Sequence, residues 1–323
     1  TGKGTVDPAF WTAVDEADAW DFMTRPLDAD GMFALWQRRG RLGTWQEVVE
    51  AMVDLLLDEP RDRSALPRDK AREGAEHLAA CMAFGKSLVV LLGDATPSDA
   101  QGVLTSRECF PPGWSPAERD LLLQRPLFAP AAYGRLRFHH RTHQDYLAAC
   151  WLATLMRQDC PRSELRHLLF AQRADTLTLR PALAAVAAWL ATVDADDALW
   201  QRQHRQDLLD AAPWIFLAKG DPRSLPLDYK TEVLRRTAER FKGRSHVSIE
   251  WDGPTLKRFA DPALAEAVAR GFADPTIPED VRADYVVLIK RGRLHGAMPA
   301  VVALAATTHG SRQGRQVHRA ARS

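Results

Sequence analysis

Helix-start signals recur along this chain at short intervals, and they limit it to a fold of many brief helices. Asp7-Pro8 sets a capping carboxylate ahead of a proline at the first helical position, and Phe10, Val14 and Ala17 then share one face. Pro26 interrupts the pattern before Asp28 starts another helix, whose Met32, Leu35 and Trp36 form a stripe that stops at Gly40. Thr44 and Glu47 make a T-x-x-E capping box ahead of Trp45, Val48, Val49, Met52 and Leu56 at helical spacing. Residues 59–69 are polar and contain proline, so they read as a linker before a further helix over 70–82.

The texture changes once, over residues 115–156. Ser115-Pro116-Ala117-Glu118 is a second capping box, opening a short helix that ends near Gln124. Residues 127–132 and 135–139 predict two short strands around Tyr133-Gly134, with Leu136 and Phe138 alternating against Arg135 and Arg137. Thr142 and Asp145 then cap a helix with Tyr146, Ala149, Cys150 and Ala153 on one face. Helix, hairpin, helix is the order of a winged helix, and this hairpin is the only β-structure the sequence predicts. From Ser163 onward the chain reads as helices with short breaks. "FADP" occurs at residues 259–262 and 272–275, each with Asp as N-cap and Pro as first helical residue, a rhythm of the HEAT-like α-solenoid kind. The expected fold is therefore mainly all-α: a helical domain (1–60), a winged-helix domain with one short β-hairpin (61–158), and a HEAT-like arm (159–323).

Composition excludes several classes. With 46% hydrophobic and 26% charged residues the chain is not a disordered one. Its longest apolar stretch, 181–193, is too short to span a bilayer, and Asp7, Asp15, Glu16 and Asp18 occupy the place of a signal-peptide core. Cys81, Cys109, Cys150 and Cys160 form no C-x-x-C pair, which argues against a disulfide framework or zinc ribbon and for the reducing cytoplasm. Residues 1–60 carry 12 acids against 5 bases, whereas 291–323 carry 6 arginines and no acid. A basic tail can bind nucleic acid, but a frayed end is the better reading. The absence of an initiator Met and the aperiodic last stretch, 311–323, fit a piece of a longer protein.

Several fragments imitate chemistry. Gly85-Lys86-Ser87 ends like a phosphate-binding loop, but position 80, where the first glycine belongs, holds Ala80, and the segment follows a helix rather than a strand. Leu55-Leu56-Leu57-Asp58-Glu59 resembles a magnesium-orienting strand yet ends an amphipathic helix and precedes the GKS. His139 and His143 have the i, i+4 spacing of a helical zinc site, but His140 stands where a zincin needs Glu and the pair straddles the expected N-cap. No Gly-x-Ser-x-Gly elbow occurs, and carboxylates are scattered on solvated faces. Trp36, Trp45, Trp151 and Trp189 fall on apolar helix faces and read as core rather than as base-stacking platforms.

The stretch Phe138-His139-His140-Arg141-Thr142-His143-Gln144-Asp145-Tyr146-Leu147-Ala148-Ala149 resembles the F-x-H-x-S/T-x-Q-E-Y/F-L-A-A signature of the winged-helix domain in NACHT-type STAND NTPases, the signalling ATPases that include NOD-like receptors and many bacterial defence proteins. Thr142 and Gln144 match, and Asp145 replaces the usual Glu. Upstream, residues 19–27 are similar to the a-x-x-P-L element that opens the helical domain after a NACHT core. The similarity covers roughly residues 10–157.

This resemblance implies a regulatory and scaffold portion of a larger ATPase whose P-loop core would be a separate neighbour in cis. By motif position Pro26 would pack near the adenine, and His140 would approach the β-phosphate of ADP. ATP or ADP with magnesium would bind the parent protein, coupling nucleotide state to domain rearrangement. The arm would sense a protein trigger, with oligomerisation on activation, in bacterial defence or signalling. The alternative is a winged-helix nucleic-acid regulator, which the absence of Arg and Lys from residues 142–156 disfavours. A metal-dependent hydrolase built on the His139 cluster is the weakest reading. We expect no ATP turnover from this chain alone, and no effect of Lys86→Ala. Phosphate release that disappears in that variant would refute this.

Overall fold

The computed structural model describes residues 7–58, 66–92, 104–158, 160–174, 176–193, 198–243 and 251–307. It is mainly helical, with a few short antiparallel strands in two small sheets. The described residues form two compact units, one within 1–168 together with Val193, the other within 169–192 and 198–307. Among the described residues no helix is long and apolar enough to cross a membrane. Most of the expected linker over 59–69 and the arginines beyond residue 307 lie outside the described residues.

In the first unit several caps act where the sequence places them. Asp7 accepts a hydrogen bond from the Ala9 amide at 2.8 Å and opens α1 (Pro8–Ala17). After a 3-10 turn, Trp20–Thr24, Pro26 itself begins α2 (Pro26–Arg39), and Gly40 ends it at φ 67°. A proline at the first helical position loses no hydrogen bond, so the helix starts two residues earlier than Asp28. Thr44 and Glu47 close their box on α3 (Trp45–Leu57), which buries Val48, Val49, Met52 and Leu56. α4 (Arg68–Phe84) runs along α6 (Arg141–Arg157).

Between them lie β1 (Val90–Leu91), a 3-10 turn (Ser106–Cys109) capped by a further Thr105–Glu108 box, α5 (Pro116–Leu123) behind the Ser115–Glu118 box, β2 (Phe128–Ala131) and β3 (Arg135–Phe138). β3 is the central strand, pairing antiparallel with both others in the order β1-β3-β2. Tyr133 and Gly134 turn the hairpin with φ of 60° and 65°, the conformation that suits a tight two-residue loop.

Two expectations about this unit are corrected. Cys81 on α4 and Cys109 in the 3-10 turn form a disulfide across 28 residues, their Cα atoms 5.4 Å apart. No local spacing could announce it, because only the packing of the turn on α4 brings the two together. The cysteines therefore carry no argument for a reducing compartment. α6 is capped by His140, not by Thr142, because the His140 ring accepts from the Thr142 amide at 3.2 Å.

After α7 (Arg162–Leu169), the second unit begins with a hairpin the sequence analysis reads as helix. β4 (Phe170–Arg173) pairs with β5 (Thr176–Leu179), Phe170 opposite Leu179. The period-2 alternation of Thr176, Leu177, Thr178 and Leu179 is too short to stand out among helices. The hairpin around Tyr133-Gly134 is thus not the chain's only β-structure. α8 (Ala184–Leu190), α9 (Ala198–Ala211), α10 (Leu227–Phe241), α11 (Gly253–Phe259), α12 (Ala265–Ala273), α13 (Glu279–Arg291) and α14 (Met298–Thr307) follow. α10 packs on α12, α11 on α13, and α12 on both α13 and α14. Of the two FADP copies, Asp261-Pro262 opens a 3-10 turn into α12. At the second, Asp274 instead holds a turn by accepting from Thr276, and α13 waits until after Pro278.

His204 is buried in this unit, its Nε2 donating to the Ala187 carbonyl at 2.8 Å. Since a carbonyl only accepts, Nε2 carries the proton. Its ring stacks on Trp200 at 5.1 Å, and burial drives its pKa down to about 4.

Gly74 tests the first unit. A Cβ there would meet the Trp114 ring at 2.4 Å and Leu122 at 2.8 Å. Gly74→Ala should therefore lower stability by about 1–2 kcal/mol in chemical denaturation, although alanine is the better helix former by about 1 kcal/mol. In the second unit, His204 stays neutral when folded but takes a proton when unfolded below about pH 6.5. Its stabilisation is complete above that value and falls with acid, by about 2 kcal/mol at pH 5. Amide exchange in α8 and α9 should follow that slope, and His204→Phe should flatten it.

Candidate functional site

The stretch of 138–149 folds as a set of local and tertiary contacts. Phe138, on β3, packs on Phe128 at 5.0 Å between ring centroids. His139 and His140 leave the strand, and His140 caps α6 in extended backbone geometry. With its Nδ1 accepting from the Thr142 amide, the neutral imidazole carries its proton on Nε2. The Gln144 amide donates to the Ser87 carbonyl at 3.4 Å, and Asp145 pairs with Arg141 one turn earlier at 2.9 Å.

Against this junction lies the start of α2. The Arg25 guanidinium donates to the His139 carbonyl. Asp28, fully buried in the first turn of α2, faces His139, with Oδ2 3.4 Å from Nε2. The two approach without forming a hydrogen bond, and neither Asp28 oxygen has a hydrogen-bond partner. Phe22 is enclosed by the cluster: its ring centroid is 5.0 Å from Trp45, 5.0 Å from His140 and 5.3 Å from His143, stacked on the last at 18°. His143 is fully buried, and neither of its ring nitrogens has a hydrogen-bond partner.

Electrostatics follow from burial. Desolvation raises the Asp28 pKa against the opposing pull of His139, His140 and Arg25. It lowers that of His140, with Arg25 and His139 adding repulsion and Asp28 and Asp21 opposing it. His143 lies well below the ordinary imidazole range, since burial, His140, His139 and Arg25 all act the same way.

Pro26 is exposed and His140 is half-buried, and the Arg25 and Asp28 contacts bring the elements that carry them together. Sequence reasoning takes Asp28 only as a helix start and His143 only as half of an i, i+4 histidine pair, and it assigns Arg25 and Phe22 no role. Asp28 leaves one trace: it stands four and seven residues before Met32 and Leu35, on the face α2 buries. Arg25 and Phe22 give no local signal, and the spacing of His143 with His139 points to a metal site rather than to this cluster.

The remaining fragments are structural. Gly85 ends α4, and Lys86 follows it, exposed, at φ 54°, with Ser87 Oγ donating to the Val89 carbonyl at 2.6 Å. Leu55, Leu56 and Leu57 lie in α3; Glu59 lies outside the described residues. Among the described residues no three His, Cys, Asp or Glu side chains are arranged to hold a metal ion. Compared with family models, with curated proteins and with solved structures, the chain matches none.

Proposed function

We propose that this chain is the regulatory and scaffold portion of a NACHT-type STAND NTPase, with Pro26 and His140 facing a nucleotide held by a P-loop core. The observation that carries this reading is the junction of α2 with the start of α6. Residues separated by more than a hundred positions, and chosen by two independent motif resemblances, belong to elements joined by the Arg25–His139 bond.

The order α4, β1, 3-10 turn, α5, β2, β3 with sheet order β1-β3-β2 supports a winged-helix domain. The packing of alternate helices from α10 to α14 supports a solenoid-like arm that meets a protein trigger. Cytoplasmic location, oligomerisation on activation and a role in bacterial defence belong to the same proposal. The nucleic-acid alternative is weakened by α6, which buries eleven of its residues, from His143 to Met156, and so does not offer a free reading face.

In this reading the chain's own groups sense the nucleotide and do not cleave it. Pro26 presents a rigid apolar ring at the first position of α2, suited to a planar base. His140 is neutral at pH 7 with its donor nitrogen fixed by the Thr142 amide, so it can give a hydrogen bond to a phosphate oxygen without reorganising. A bond of that kind is worth about 1.5–3 kcal/mol. Its presence with ADP and loss on rearrangement would bias a two-state domain interface.

The test is His140→Asn in the longer protein that includes the P-loop core. Asn preserves the helix cap and removes the imidazole donor. ADP should bind about tenfold more weakly, and the active population should rise accordingly. Unchanged ADP affinity would remove His140 from this role.

A further inference from the structure

We infer that Asp28, His139, His140 and His143 form a proton-controlled latch that fastens α2 to the β3–α6 junction near neutral pH and releases it on acidification. The geometry carries it. Two elements far apart in sequence are held together here by few direct bonds: Arg25 to the His139 carbonyl, and the approach of His139 to Asp28. Behind these sit His143, with neither ring nitrogen hydrogen-bonded and Phe22 stacked on its face, and the His140 ring 5.6 Å away. Buried polar atoms without partners are costly, and a buried imidazolium without one costs far more.

The groups facing the two imidazoles set the sign. From the start of α2 come Arg25 and Asp28, from the preceding 3-10 turn Asp21, and from the strand–helix junction His139. A proton on His143 would meet the Arg25 guanidinium and the two neighbouring histidines, with no acceptor in hydrogen-bond reach. The closed latch therefore refuses protons that the open one accepts below the free imidazole value of about 6.5.

Closure from His140 and His143 is complete above that value and is lost as the pH falls. Each imidazole contributes up to about tenfold in the opening equilibrium per pH unit. Asp28 works in the opposite sense, since its raised pKa favours the closed state as carboxylates protonate. One carboxyl opposes two imidazoles, so the net effect of mild acid is release. A histidine cluster at an interface between two elements is a known form of pH switch.

Release would part the elements that carry Pro26 and His140. The latch is testable without nucleotide, so its failure and that of the nucleotide reading are separate results. Amide exchange of the full chain should be followed in the first turns of α2 and α6 from pH 7 to 5.5, corrected for intrinsic exchange. Opening should rise at least tenfold over that range relative to the amides of α4. The double variant His140→Asn/His143→Leu, which keeps a cap and an apolar ring contact for Phe22, should lose that response. A pH-independent wild type, or a double variant that responds as the wild type does, would overturn the latch. If the double variant does not fold, imidazole NMR of the wild type decides. His143 should titrate together with the opening, and its titration near 6.5 with α2 still protected would overturn the proposal.

Discussion

Arg72 is the side chain on which the packing of the first unit turns. Its guanidinium reaches Glu76 one turn on at 2.7 Å, Asp54 of α3 at 3.2 Å, and the Cys150 sulfur of α6 at 3.5 Å, while lying over the Tyr146 ring at 5.7 Å. One cation thus ties three helices. Burial raises the Glu76 pKa, and the Cys150 thiol is pushed up to about 11. Cys150 is therefore a neutral packing residue, and the cation's partners are the carboxylates. Losing the guanidinium would leave the half-buried Glu76 without its hydrogen-bonded cation, a costly way to break a partly buried pair.

Around that tie both α4 and α6 bury small side chains. Ala71, Gly74, Ala75 and Ala79 are buried on α4, and Ala148, Ala149 and Ala153 on α6. With α6 fixed, the short connection from β3 sets His139 and His140 at the end of the central strand. The α2 contact with this junction depends on that placement. Polar groups that would be ordinary at a surface become orphaned when two elements close over them. The cost is local and concentrated in few residues, which is the condition for a site that changes state without unfolding its unit.

The second unit solves the same problem by another route. Several of its buried charges meet partners in a small network, although the Nε atoms of Arg258 and Arg282 have no hydrogen-bond partner. Lys230 donates to the Arg223 carbonyl at 3.3 Å and lies over Phe259, and Arg258 approaches Asp221 at 4.0 Å and donates to Thr255 at 2.9 Å. A shallow groove between α10, α12 and α13, of about 240 Å³, is lined in part by Leu234, Arg270, Asp274 and Tyr285. Asp284 on α13, half hidden and one turn from Asp280, has its carboxyl pushed up to about 7. These features make the unit a polar-laced helical body rather than a uniform oily core.

The sequence by itself determined where helices start and which face each buries. A capping oxygen, a proline at the first helical position and a stripe at 3.6-residue spacing act within one turn, so residues such as Thr44, Glu47, Pro116 and Leu136 announce their roles locally. It also held the hairpin at Tyr133-Gly134 and the strand–helix junction that carries His140. Only the tertiary structure decided what those elements meet. The Cys81–Cys109 bond, the burial of Asp28 against His139, the orphaned nitrogens of His143 and the pairing of β1 with β3 join positions tens to more than a hundred residues apart. The β4–β5 hairpin failed to show for the converse reason. Four residues of alternation are too weak a local signal, and the pairing of Phe170 with Leu179 is what makes them strands. Local chemistry fixes elements, and desolvation, which exists only after elements close on one another, fixes the site.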